Sequence, residues 1–162
     1  KKERVNLMSQ ISHAPAGPSA SVGARQKSVV EEFSKLADWE SRYKRIIEKG
    51  KNLPPLDDKK RVPENLVKGC QSQVWLHAHL NEQGFVVYEA DSDAMITKGL
   101  VAVLLEVFSN ARAQEILESQ LDFIKQLGFE SHLSPSRANG FYSMVKQMRH
   151  YATAFYYLQS QG

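Results

Sequence analysis

The sequence predicts an α+β domain in which a small antiparallel β-sheet packs against several helices. Three observations lead there. Apolar residues recur at helical spacing between residues 28 and 49, two β-like runs at 73–80 and 85–91 flank a turn, and helical spacing returns from residue 94 onward.

Taken in order, residues 1–26 read as a flexible arm, because Ser12 to Ala24 is rich in Ala, Pro, Gly and Ser and lacks apolar periodicity. The folded domain is expected over 27–162. Its first helix is predicted from Ser28 to Lys49, with Ser28 as cap and Val29, Phe33, Leu36, Tyr43 and Ile47 on one face. Gly50 reads as its stop. Leu53-Pro54-Pro55-Leu56 is extended, and Asp57 to Pro63 forms a charged loop. The run Gln73–Leu80 alternates, with Val74, Leu76, Ala78 and Leu80 on one face and Trp75, His77 and His79 on the other. Asn81 to Gly84 supplies a hairpin turn, Phe85 to Asp91 the return strand, and Asp93 to Ile96 a short third edge strand. From Ala94 to Ser109 the chain is so apolar that its helix must be covered on most sides. Short helices follow at Ala113–Ser119 and Leu121–Leu127, the second closed by Gly128. Ser134-Pro135 opens a last helix reaching about Leu158.

The chain has 162 residues, 42% of them hydrophobic and 24% charged, with a formal net charge of +3, which fits one globular domain. Basic residues are interspersed with acids, so no nucleic-acid-binding stripe forms. The longest apolar run, Leu100 to Leu105, is too short to span a membrane or to form a signal-peptide core. A single cysteine rules out an intramolecular disulfide and an all-cysteine metal site within one chain, and this usage fits a reducing cytoplasm.

That cysteine, Cys70, sits in Lys68-Gly69-Cys70-Gln71-Ser72-Gln73, ahead of the alternating segment. Gly69 permits a sharp turn, and polar residues follow, which places the thiol on a loop where it can meet a partner. A thiol reacts as its thiolate, and Lys68 and Arg137 are the cations that by type could favour that form. Read by type alone, a lone cysteine is first a small hydrophobe. His77 and His79 share a strand face but are too few for a closed metal site, so no metal is assigned. Asp91 and Asp93 have acid–base chemistry, yet charges at a helix entrance explain them as well. No phosphate-binding loop is present. Gly140, inside the last helix, reads as a point of close packing.

The strings Asp38-Trp39-Glu40-Ser41-Arg42-Tyr43 and Asn65-Leu66-Val67-Lys68-Gly69-Cys70-Gln71-Ser72-Gln73-Val74-Trp75 resemble the SufE family. So do Ala90-Asp91-Ser92-Asp93-Ala94, Lys98-Gly99-Leu100 and Leu133-Ser134-Pro135-Ser136-Arg137-Ala138-Asn139-Gly140. The resemblance spans about Val29 to Ala152, and the Gly-Cys-Gln-Ser-Gln-Val-Trp string is highly specific. It implies a SufE/IscU-like fold and a protein whose Cys70 accepts sulfane sulfur from a SufS- or CsdA-type cysteine desulfurase, stimulating it. The sulfur then passes to a SufBCD-type scaffold or another acceptor. The resemblance implies a carrier that itself holds no cofactor and no metal. Gln71 and Ser72 are expected to shape the Cys70 loop, with Asp93 and Arg137 around the loop or its docking face. Trp39, Arg42 and Tyr43 are expected to be structural. A loop that shelters the persulfide alone and extends into the desulfurase when docked is expected, with Gly69 as hinge. Residues 1–26 and the aromatic tail Phe155-Tyr156-Tyr157 depart from the family pattern and suit a lineage-specific arm or a homodimer contact. Two other functions compete: a stand-alone cysteine hydrolase, and a cluster scaffold using Cys70 with His77 or His79 across a dimer.

Overall fold

The computed structural model describes residues 20–161. The chain is α+β: helices α1 (Val22–Ser34) and α2 (Trp39–Lys51), strands β1 (Val74–Leu80) and β2 (Val86–Ser92), then helices α3 (Met95–Phe108), α4 (Ala113–Glu118), α5 (Asp122–Leu127) and α6 (Pro135–Ser160). The antiparallel pair runs in register from Val74 opposite Ser92 to Leu80 opposite Val86. Its inner face, Val74, Leu76, Ala78, Val86, Tyr88 and Ala90, is buried. Asn81 builds the turn, its side chain accepting from the Gln83 and Phe85 amides.

Helix α3 is the centre of the domain, with ten of its fourteen residues buried. It explains the first departure from the predicted elements. The chain is already helical at Val22, capped by Ser21, so residues 20–26 do not belong to an arm; residues 1–19 lie outside the described residues. Arg25 holds this segment down. Its guanidinium donates to the carbonyls of Val107 (3.2 Å), Ser109 (2.5 Å) and Asn110 (2.8 Å) where α3 ends. The Val107 carbonyl lacks an intrahelical partner at the negative end of the helix dipole, and the other two belong to the turn that leaves the helix.

The single helix expected over 28–49 is two. Asp38 takes the Ser41 amide at 2.7 Å and starts a new helix, so the chain breaks at 35–38. Gly50 does not stop α2 but lies buried within it. A Cβ on Gly50 would fall 2.7 Å from the Gly99 amide nitrogen, and one on Gly99 only 2.1 Å from the Ile46 carbonyl oxygen. Helices α2 and α3 thus cross backbone to backbone. Lys49 reinforces the crossing by bridging Glu32 on α1 (2.9 Å) and Glu106 on α3 (2.8 Å).

The third strand expected at 93–96 does not form. The Asp93 amide donates to the Gln73 carbonyl at 3.2 Å, and α3 begins two residues later. The described residues contain two strands, each edged by one isolated bridge, Leu66 with Trp75 and Val86 with Ala111. Helix α6 closes the other side through Phe141, Met144, Val145, Met148 and Ala152, and Tyr88 donates its hydroxyl to the Met148 carbonyl at 2.6 Å. Its start is fixed by an aromatic cluster. Trp39 stacks on His132 at 3.9 Å, Arg42 lies over Trp39, and Tyr43 donates to the His132 carbonyl.

The crossing makes a direct prediction. Gly99→Ala forces backbone apart and is expected to cost about 3 kcal/mol, read as a clear fall in melting temperature. Gly23→Ala, on an open helical face, is expected to leave stability unchanged or raise it slightly. Equal melting of the two variants would refute the close crossing.

Candidate functional site

Cys70 rides at the tip of a loop whose two ends are fastened independently. On one side the Val67 amide donates to the Val74 carbonyl at 2.8 Å, and Leu66 bridges Trp75. On the other, Gln73 and Asp93 bond reciprocally: the Gln73 amide donates to Asp93 Oδ1 at 3.0 Å while the Asp93 amide donates to the Gln73 carbonyl. Between these anchors, residues 68–72 are free of strand pairing. Gly69 takes φ +93°, a conformation that side-chain-bearing residues rarely adopt, and a Cβ there would strike Ser143 Oγ at 2.5 Å.

This path turns Cys70 inward onto α6. Its sulfur lies 3.6 Å from the Gly140 carbonyl oxygen, and a Cβ on Gly140 would stand 3.2 Å from that sulfur. The close packing expected at Gly140 is therefore packing against the cysteine. Cys70 opens into a cavity of about 360 Å³ lined by Gln71, Ser72, Thr97, Leu100, Ser134, Ser136, Arg137, Gly140 and Met144. The floor is apolar, from Leu100 and Met144. The mouth is polar, with hydroxyls and the exposed Arg137 in the first turn of α6, where Ser134 caps the helix.

The thiol is half-buried, and burial pushes it above its ordinary range. Neither cation expected to favour the thiolate offsets this. Lys68 lines a separate groove with Ser143, Lys146 and His150, and Arg137 stands at the cavity mouth. Of the sequence-selected residues, the structure brings Cys70, Gln71, Ser72 and Arg137 together around one cavity. Gly69 sets the turn, and Asp93 clamps the loop from outside the cavity lining. Asp91 serves elsewhere, paired with Arg61 at 2.5 Å and Lys98 at 3.3 Å. Sequence reasoning misses Thr97, Leu100 and Met144; they come from α3 and α6, and no local pattern marks them as neighbours of Cys70.

Fold and site together define a helix-covered hairpin domain that presents one sheltered cysteine on a clamped loop. Residues 27–152 match the family model described as the Fe-S metabolism associated domain, SufE. An uncharacterised SufE-like protein of Rhizobium meliloti (strain 1021) is 43% identical over 125 residues, covering 75% of this chain and 89% of that protein. The chain belongs to the SufE family, and its role lies in iron–sulfur metabolism. The solution structure of a hypothetical protein from Thermus thermophilus shares the fold with a TM-score of 0.69 at 22% identity, covering 81% of this chain and 95% of that one. No helix among the described residues is long and apolar enough to cross a membrane.

Two outcomes follow for the isolated protein. Cys70 alkylation by iodoacetamide is expected to rise with a midpoint above the roughly 8.5 of a free thiol, since burial favours the neutral form and higher pH is needed to ionise it. Asp93→Ala frees the Gln73 amide and is expected to speed alkylation at fixed pH several-fold with little change in melting temperature. An unchanged rate would remove Asp93 from the clamp.

Proposed function

We propose that Cys70 is a persulfide acceptor and carrier, taking sulfur from a SufS- or CsdA-type cysteine desulfurase in the cytoplasm, stimulating that enzyme, and delivering the sulfur to a SufBCD-type scaffold or another acceptor. The observation that supports this most is the cavity beside a lone, sheltered cysteine on a loop anchored only at its ends. In the transfer step the Cys70 thiolate attacks the terminal sulfur of the desulfurase persulfide. A new S–S bond forms at Cys70, the donor S–S bond breaks, and the desulfurase cysteine leaves as its thiolate. No redox partner is consumed.

The chain's residues divide the work by position. The cavity of about 360 Å³ has room for one more sulfur atom, with Leu100 and Met144 offering it an apolar side. Ser134, Ser136 and Arg137 surround the mouth, the buried Thr97 lines the interior, and an anionic persulfide suits the start of α6. Burial favours the neutral thiol in the tucked position, so movement of the loop out of the cavity, with Gly69 as hinge and the Val67–Val74 and Gln73–Asp93 bonds as fixed ends, raises the thiolate fraction available for attack. Gln71 and Ser72 travel with the sulfur. Arg137 and Asp93 border the surface that a desulfurase would meet. A stand-alone hydrolase is less well supported: among the described residues no histidine lines the cavity to serve as base, and Cys70 touches a carbonyl rather than a proton acceptor of useful basicity.

Intact-protein mass spectrometry tests the reading. After incubation with an active SufS-type desulfurase and cysteine without reductant, the wild type is expected to gain one or more sulfur atoms and Cys70→Ser none. No gain with either a SufS-type or a CsdA-type enzyme would overturn it, and partner-free ester or amide turnover lost in Cys70→Ser would establish the hydrolase instead.

A further inference from the structure

The outward face of the hairpin carries a second constellation, unconnected to the cysteine. His77 and His79 project from β1 on the same side, and Glu89 stands directly opposite His77 on β2. The Nδ1 atoms of His77 and His79 approach one and the same oxygen, Glu89 Oε1, at 3.4 and 3.5 Å. The three donor atoms all lie within 4.8 Å of one another. Donors sharing one ion at bonds of about 2.1 Å with tetrahedral angles stand roughly 3.4 Å apart. Both histidine-to-carboxylate distances already match that edge. His77 and His79 are 29% and 46% exposed, which leaves their side chains free to adjust.

One further observation points to a cation at this place. His77 Nδ1 is buried from solvent and has no hydrogen-bond partner among the described residues, although its ring faces a carboxylate. A buried polar atom left in this way is costly, and an ion held together with Glu89 would satisfy it. Glu89 Oε1 is already paired with the Lys60 ammonium at 2.6 Å, which an entering ion must displace. That lysine reaches in from the loop before β1, and both members of the pair are about one-third exposed, so it competes weakly.

We propose that His77, His79 and Glu89 bind one divalent first-row transition ion, of the class of zinc or ferrous iron, on the outer face of the hairpin. Two imidazoles and a carboxylate on one side of the ion leave its remaining positions open to water or to a ligand from another molecule. Lys60 swings away when the ion enters. The site uses no part of the Cys70 loop, so it stands or falls independently of the sulfur-acceptor reading.

The test is isothermal titration of the full chain carrying Cys70→Ser, which removes the thiol as a ligand, with Zn²⁺ alone and with Ni²⁺ alone. One ion per chain is expected. His77→Ala, His79→Asn and Glu89→Gln should each weaken binding about tenfold or more, and Lys60→Met should strengthen it several-fold. Because His79 is half-exposed, His79→Asn should melt with its parent in the absence of metal while losing the metal-dependent rise in melting temperature. No binding in the Cys70→Ser chain, or binding retained when His77 and His79 are both replaced, would overturn the proposal.

Discussion

A helix buried on almost every side must find a partner for each face and each end, and α3 sets that requirement for the whole domain. Gly99 lets α2 approach until backbone meets backbone, with Gly50 on the other side of the same contact. The hairpin covers another face, α6 a third, and Arg25 comes in from α1 to take the carbonyls where the helix ends. The same demand shapes the functional end. The first turns of α3 supply Thr97 and Leu100 to the cavity, and the residue just ahead of them, Asp93, ties down the cysteine loop. The site is built from the N-terminal ends of two helices, the buried α3 and the partly exposed α6.

At that site, Cys70 is held where burial disfavours its thiolate. Burial against Gly140 favours the neutral thiol, and the Arg137 charge stands at the mouth of the cavity. On the proposed reading, the same shelter that would keep a bound sulfur from solvent also lowers the thiolate fraction, which is why that reading includes a second position for the loop. The anchoring bonds define what can move: five residues between two fastened ends, with a glycine at positive φ among them.

Much of this is legible in the sequence, and the exceptions have identifiable causes. The hairpin follows from strict alternation and a strong turn, and the last helix from Ser134-Pro135. The first helical region misleads because apolar spacing continues across a break. Once Asp38 starts a new helix the phase resets, and Ile46 rather than Ile47 reaches the core. Gly50 resembles a terminator because its reason for being glycine, Gly99, is remote in sequence. Residues 20–26 resemble linker because what orders them is an arginine bound to another helix's carbonyls. At the site, Cys70 and its flanking polar residues announce themselves in one short string, whereas the cavity's floor depends on how α3 and α6 meet, which no local pattern encodes.

The central claim is that docking moves Cys70 from a site that suppresses its thiolate to one that permits it. A chain with one cysteine allows this to be read without chemical modification, by labelling the Cys70 Cβ with ¹³C and following its chemical shift against pH. The titration is run on the free protein and on its complex with a desulfurase whose own nucleophilic cysteine is replaced. The account predicts a high midpoint for the free protein and a distinctly lower one in the complex. The same high midpoint in both would contradict it, and would mean that sulfur transfer, if it occurs, takes place with the loop still tucked against Gly140.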